Sequence, residues 1–164
     1  MIQLVPASIE YADSIIDFKE ETLKSVKRIS GGVGLESAER IEDWLSGKAV
    51  PHYGKVKERI YLAIDESGRM VGISDIRLGI NEFISDYAGQ IGYTVRPSER
   101  GKGYATQILK ALIKEAKALG MSNILVTCNE DNIASSRVIE KAGGILESII
   151  PHPGYPNVKR YRFI

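Results

Sequence analysis

Apolar residues recur along this chain with two periods, and the switches between them mark out its elements. The clearest switch lies between Ile91 and Gly120. Ile91, Tyr93 and Val95 alternate with Gly92 and Thr94, the period-two pattern of a half-buried strand. Pro97 cannot donate to a ladder and biases Arg96 towards extended geometry, so the strand ends there. Beyond Arg100-Gly101-Lys102-Gly103 the period lengthens. Ala105, Ile108, Leu109, Leu112, Ile113, Ala116 and Leu119 form one apolar stripe of a long helix that Gly120 stops.

The same reading places the other elements. Ile2 and Leu4 suggest an opening strand, and Ser8 an N-cap for a helix through Ile9, Ala12, Ile15, Ile16 and Leu23. Gly31-Gly32-Val33-Gly34 breaks the chain before a second helix, Ser37 to Leu45, carrying Ile41 and Trp44. Ser46 to Lys57 reads as a loop with Pro51 and Gly54. Ile60 to Ile64 and Met70 to Ile80 read as a hairpin around Glu66-Ser67-Gly68-Arg69. The alternation slips within the second strand, and a bulge near Ser74-Asp75 would reconcile its two phases. Asn81 to Ala88 is a loop, Asn123 to Thr127 a short buried strand, and Asp131 to Ala142 a helix with Ala134, Val138 and Ala142 on one stripe. Ile145 to Ile150 and Val158 to Ile164 are strands joined by Pro151 to Pro156.

At 164 residues the chain is long enough for one domain with a proper core, 1–164, and no internal repeat divides it. Acidic and basic residues nearly cancel, with a net charge of +1, so no global field steers it to nucleic acid or a membrane surface. One Cys and two His supply neither an intramolecular disulfide nor a metal cluster. No signal peptide or membrane-spanning run is evident, and the expected setting is cytoplasmic.

Arg100-Gly101-Lys102-Gly103 sets two residues without a Cβ beside two cations at a helix start. Such a loop lets backbone N–H groups approach an anion. A P-loop would need Ser or Thr after Lys102, where Gly103 stands. A dinucleotide fingerprint would need a different glycine spacing and an acidic end to the next strand, which here ends Thr127-Cys128-Asn129. Arg-x-x-Gly-x-Ala, running Arg100, Gly103, Ala105, does fit a known pattern. It resembles the pyrophosphate-binding motif of the GNAT superfamily of acyl-CoA-dependent N-acetyltransferases.

A second stretch, Cys128 to Gly144, is similar to that superfamily's other cofactor motif, with Asn132 at the strand-to-helix junction and Gly143 ending the helix. The wording from about Met70 onward is similar to a group of small bacterial predicted acetyltransferases. The resemblance implies an α/β GNAT fold: a mixed, mostly antiparallel central sheet with helices on both faces, splayed at its two central strands. It implies acetyl-CoA as co-substrate, no metal, and a primary amine acceptor on a small molecule, amino acid or peptide N-terminus, attacked directly in a ternary complex. A homodimer is allowed for. The cofactor-binding set it implies is Tyr93, Thr94, Val95, Arg100, Gly101, Lys102, Gly103, Tyr104, Ala105, Thr106, Asn132 and Ser135, with Val95 exchanging backbone hydrogen bonds with the pantetheine arm.

Two positions depart from the superfamily pattern. Ile139 stands where many members carry the Tyr that protonates the departing thiolate, and Gln90 where members often carry a Glu. Tyr93, Tyr155, Tyr161 or water could take the first role, and Tyr93 is the candidate named here. Glu82, Asp75 and Asp86 compete for the second, with Glu82 foremost. Cys128 reads as packing, and His152, in a proline-flanked loop near the acceptor end, as a turn residue rather than a catalytic one. Arg77 either orients an acceptor carboxylate or makes a buried pair. Those departures also admit a non-catalytic acyl-CoA-binding sensor, which tight binding without turnover would distinguish. Nucleotide hydrolysis would demand metal ligands that the sequence does not offer.

Overall fold

The computed structural model describes residues 1–47 and 53–164, so the loop expected over Ser46 to Lys57 lies partly outside the described residues. β1 (Gln3–Pro6) leads through a 3-10 turn (Ile9–Tyr11) into α1 (Ala12–Leu23), and α2 (Ile41–Leu45) precedes three strands, β2 (Glu58–Ile64), β3 (Met70–Arg77) and β4 (Ile91–Val95). Then come α3 (Tyr104–Ala118), β5 (Ile124–Asn129), α4 (Ile133–Lys141), β6 (Ile145–His152) and β7 (Tyr155–Phe163). This is the element order read from the sequence. No helix among the described residues is long and apolar enough to cross a membrane.

All ladders are antiparallel, in two sheets ordered β1-β2-β3-β4 and β5-β7-β6. The expected splay is thus a break between β4 and β5. They are joined at its closed end, where the Gln90 amide donates to the Leu125 carbonyl at 2.7 Å. The β3–β4 register decides what faces the gap. The Arg77 amide donates to the Gln90 carbonyl and the Arg96 amide to the Val71 carbonyl. By antiparallel alternation, Gly92 and Thr94 bond to β3, while Ile91, Tyr93 and Val95 turn their N–H and C=O groups away from it, towards β5.

Two cores cover the two faces of the first sheet. On one face Ile15 and Phe18 of α1 and Ile41 and Trp44 of α2 pack on Leu62 and Ile73. On the other, Ile108, Leu109, Leu112 and Ala116 of α3 and Ile139 of α4 pack with Val126 and Tyr161. Each large aliphatic side chain so buried contributes about 1.5–3 kcal/mol. Gly72 lets α3 pack closely, since a Cβ there would stand 2.7 Å from Ile108 Cδ1 and 3.0 Å from the Thr94 carbonyl oxygen and would force Ile108 to shift.

Several expectations are corrected. The phase slip in β3 is real but lies elsewhere: pairing runs unbroken through Ser74 and Asp75 and shifts opposite Ala63 and Ile64, leaving Val71 as the extra residue. β3 also ends at Arg77 rather than Ile80. The second helix is only Ile41–Leu45, preceded by a 3-10 turn (Leu35–Ser37) and extended backbone at Ala38 and Arg40. Leu35 and Ile41 share one core. On a continuous helix they would lie roughly 240° apart, so the chain straightens between them. The expected loop Asn81 to Ala88 contains a π-helical turn (Ile84–Ala88), capped where Asn81 Oδ1 accepts from the Ile84 amide at 2.9 Å. α4 buries Ser136 and Ile139 rather than Ala134, which is exposed. Finally, Pro151 to Pro156 is no open loop but a hairpin turning at Pro153-Gly154, with Gly154 at φ +81. Pro151 is tolerated there because β6 is an edge strand, and Pro156 because it precedes the part of β7 that pairs with β5.

Candidate active site

A cavity of about 490 Å³ occupies the gap between the sheets. Ile91, Gly92 and Tyr93 of β4 form one side and Thr127, Cys128 and Asn129 of β5 the other, with Asn132 and Ser135 at the start of α4. Arg28 and Ser30 reach it because the loop after α1 docks on β4. Thr94 Oγ1 donates to the Ser30 carbonyl at 2.6 Å, and Gly31 lies so close that a Cβ would meet the Gly92 carbonyl oxygen at 2.6 Å.

Tyr93 stands on the α3–α4 face of β4. Its Oη is buried and makes no hydrogen bond of good geometry; Ser135 stands close enough to pull the phenol down, but burial, the larger effect, pushes it up to about 12. A buried orphan hydroxyl costs free energy unless a ligand satisfies it. Nearby, Asn132 caps α4 by accepting the Ser135 amide at 3.1 Å through Oδ1, which leaves Nδ2 for a ligand. Burial raises the Cys128 thiol, whose sulfur lies 3.5 Å from Ser136 Oγ, so it is a poor nucleophile.

The opposite wall is aromatic. Tyr87 stacks on His152 with centroids 3.8 Å apart, and His152 on Tyr155 at 4.5 Å. Phe83 meets Tyr87 edge-on at 5.7 Å. Arg77 sits 4.2 Å over the Tyr53 ring with all three nitrogens bonded: two on Asp75 at 3.0 and 3.2 Å, the third on the carbonyls of Ala88 and Gly89, each at 2.8 Å. The buried pair, rather than the orienting role, is therefore what Arg77 does. Burial raises the Asp75 carboxyl, but both its oxygens are held by Arg77, so it is not free to take a proton from an amine. Behind this pair, Glu58 is pushed up to about 7, by burial and by Asp75, with Oε2 buried and unpartnered.

The glycine loop lies at the N-terminus of α3. Gly101 and Gly103 hold φ of +79 and +82, and a Cβ on either would meet nothing within 4 Å. The loop is thus left-handed at two points and open above both. No side chain caps α3, so the amides of its first turn, Tyr104 to Thr106, are unsatisfied within the helix. Arg96, just before the loop, is structural: buried, it donates to the Met70 carbonyl and to Asp17 and Glu21. Lys102 is paired with Glu99 at 2.7 Å, and Arg100 is exposed.

The structure brings Tyr93, Asn132 and Ser135 together at the cavity. Glu82 is exposed, and neither it nor Asp86 lines the cavity. Tyr161 is buried in the core with its hydroxyl on Glu140, and Ile139 is buried beside it. Sequence reasoning placed His152 near the acceptor end but, from its flanking prolines, read it as a turn residue, and it missed Glu58 altogether. No three His, Cys, Asp or Glu side chains gather as a metal site among the described residues.

With this geometry established, comparison with known proteins is informative. The model of the GNAT acetyltransferase domain family matches residues 2–145. An uncharacterized N-acetyltransferase, YnaD, of Bacillus subtilis (strain 168) is 29% identical over 75 residues, 43% of this chain and 44% of that protein, so the match spans less than half of the relative. Among solved structures, the ribosomal L7/L12 alpha-N-protein acetyltransferase RimL in complex with coenzyme A superposes with TM-score 0.73 at 20% identity, over 99% of this chain and 93% of that one. A variant of spermidine N-acetyltransferase SpeG from Vibrio cholerae gives TM-score 0.68 at 17% identity, over 99% and 94%. At such identities the likeness is one of fold.

Proposed function

The chain belongs to the GNAT acetyltransferase family, and on that premise we propose that residues 1–164 act as one domain transferring an acetyl group from acetyl-CoA to a primary amine. The observation that carries this reading is the opened gap between β4 and β5, with outward backbone groups on Tyr93 and Val95 and the orphan Tyr93 hydroxyl inside it. An acyl-pantetheine arm fits all three. Acetyl-CoA brings the acetyl group as a thioester; the rest is the chain's own work.

Amides from Arg100 to Ala105, with Thr106, hold the diphosphate at the N-terminus of α3, where Gly101 and Gly103 leave it room. Arg100 and Lys102 add charge. The backbone of Tyr93 to Val95 receives the pantetheine arm, with Asn132 and Ser135 opposite.

The attacking amine must be neutral, so a base has to accept its proton. His152 is the cavity side chain suited to this, an imidazole fixed between Tyr87 and Tyr155. The new N–C bond forms as the C–S bond breaks, and the amine proton passes to the imidazole and on to solvent. Tyr93, protonated at neutral pH, hydrogen-bonds the departing sulfur. A phenol near 12 does not surrender its proton outright to a thiolate whose ordinary pKa is about 8.5, so the thiolate is reprotonated by the imidazolium or solvent. RimL and SpeG act, by their names, on a protein N-terminus and on spermidine, and both are amines.

Thiol release from acetyl-CoA across a panel of primary amines tests this. Amine-dependent release that falls in His152→Gln supports it; acetyl-CoA binding with no release on any amine refutes it.

A further inference from the structure

Resting on that transfer reading, we propose that the acceptor is a small aromatic primary amine bearing a carboxylate and no second cationic amine. The aromatic wall is the first reason. Phe83, Tyr87, His152 and Tyr155 form an unbroken series of rings along the cavity, and Phe83 and Tyr155 remain 47% and 69% exposed. Such faces pair with a planar apolar group, and their exposure leaves them open to one.

Charge is the second. Among the described residues lining the cavity there is no Asp or Glu, while Arg28 and Arg77 both line it. A polyamine or aminoglycoside keeps positive charge on its unreacted amines and needs an acidic wall to balance it. This wall offers no such balance. Arg77 is spent on Asp75 and two carbonyls. Arg28 is different: it is exposed at the mouth and donates to Tyr53 Oη at 3.3 Å, which uses one of the five N–H donors of a guanidinium. The remaining donors suit a carboxylate.

Size is the third. A cavity of about 490 Å³ must admit the thioester end and the acceptor together, which favours a molecule of amino-acid dimensions.

The test follows thiol release from acetyl-CoA with L-phenylalanine, phenethylamine and spermidine, alongside calorimetry of L-phenylalanine binding to CoA-loaded protein. A charge-assisted hydrogen bond at an exposed mouth predicts kcat/KM about tenfold higher for L-phenylalanine than for phenethylamine, with spermidine slowest. Arg28→Ala removes that preference through KM, and Arg28→Lys restores part of it. Spermidine turning over fastest, no turnover of any of the three by protein that binds acetyl-CoA, or a preference that survives Arg28→Ala overturns the acceptor class. Absence of acetyl-CoA binding by calorimetry overturns the transfer reading itself.

Discussion

Gln90 and Leu125 clasp each other twice: the Gln90 amide donates to the Leu125 carbonyl at 2.7 Å, and the Leu125 amide donates to Gln90 Oε1 at 3.0 Å. The second bond lets a side chain stand in for a missing ladder partner at the point where β4 and β5 part. Gln90 holds the position that resemblance would give to a basic carboxylate, and its work here is to close the apex of the gap. Gln90→Ala leaves the Leu125 amide unpaired and is expected to cost about 1–3 kcal/mol in urea unfolding. Gln90→Glu keeps an acceptor oxygen and is expected to cost less than Gln90→Ala. Equal stability of Gln90→Ala and the parent would remove the clasp from the account.

The unpartnered Tyr93 hydroxyl makes a prediction of opposite signs. Removing a buried unsatisfied group relieves about 1–3 kcal/mol of desolvation, so Tyr93→Phe is expected to stabilise the ligand-free protein while lowering kcat about 10²-fold. Melting without ligand and steady-state kinetics read the two effects separately. A destabilised variant with full kcat would make Tyr93 a packing residue.

The amine's base is read from the pH–rate profile. kcat/KM rises with pH as the base and the acceptor amine lose their protons, and His152→Gln is expected to remove the base's part of that limb and lower the rate by about 10²-fold or more. Glu82→Gln is expected to preserve the limb, since Glu82 is exposed outside the cavity lining. Loss of the limb in Glu82→Gln would return the role to that carboxylate.

Glu58 gives a stability signature. Its carboxyl is raised to about 7 in the folded chain, by burial first and then by Asp75, from an ordinary value of 4.5. The folded state therefore binds the extra proton between those values. Glu58's contribution is full below about 4.5 and is lost as pH rises through 7. Glu58→Gln, neutral throughout, is expected to flatten that fall and to be more stable than the parent at pH 8. Urea titrations at pH 5 and pH 8 that show no change in the difference would contradict the raised value.

The glycine loop and α3 were legible in the sequence because their signals are local. A proline stop, left-handed glycines and a continuous 3.6-residue stripe each act within a few positions. The π-helical turn over Ile84–Ala88 was hidden because Asn81, its cap, reads equally well as a loop residue. The β6–β7 hairpin was hidden because proline is excluded only from strands whose missing N–H has a partner, and edge position is a tertiary fact. The site divides similarly. Tyr93, Asn132 and Ser135 followed from motif position, whereas the Tyr87–His152–Tyr155 stack joins residues from two distant segments. Glu58 owes its raised carboxyl to burial first and then to Asp75 on the neighbouring strand, both tertiary facts.

The diphosphate grip of the Gly101–Gly103 loop is tested most directly by calorimetric titration of acetyl-CoA into Gly103→Val and Gly120→Val beside the parent. Both glycines hold positive φ, +82 and +87, and a Cβ on either meets nothing within 4 Å, so both substitutions carry a similar left-handed penalty of about 1–2 kcal/mol. Only Gly103 borders the proposed ligand. Retained binding in Gly120→Val with binding lost or cut at least tenfold in Gly103→Val is the predicted result, and undiminished binding in Gly103→Val, or none in the parent, would contradict it.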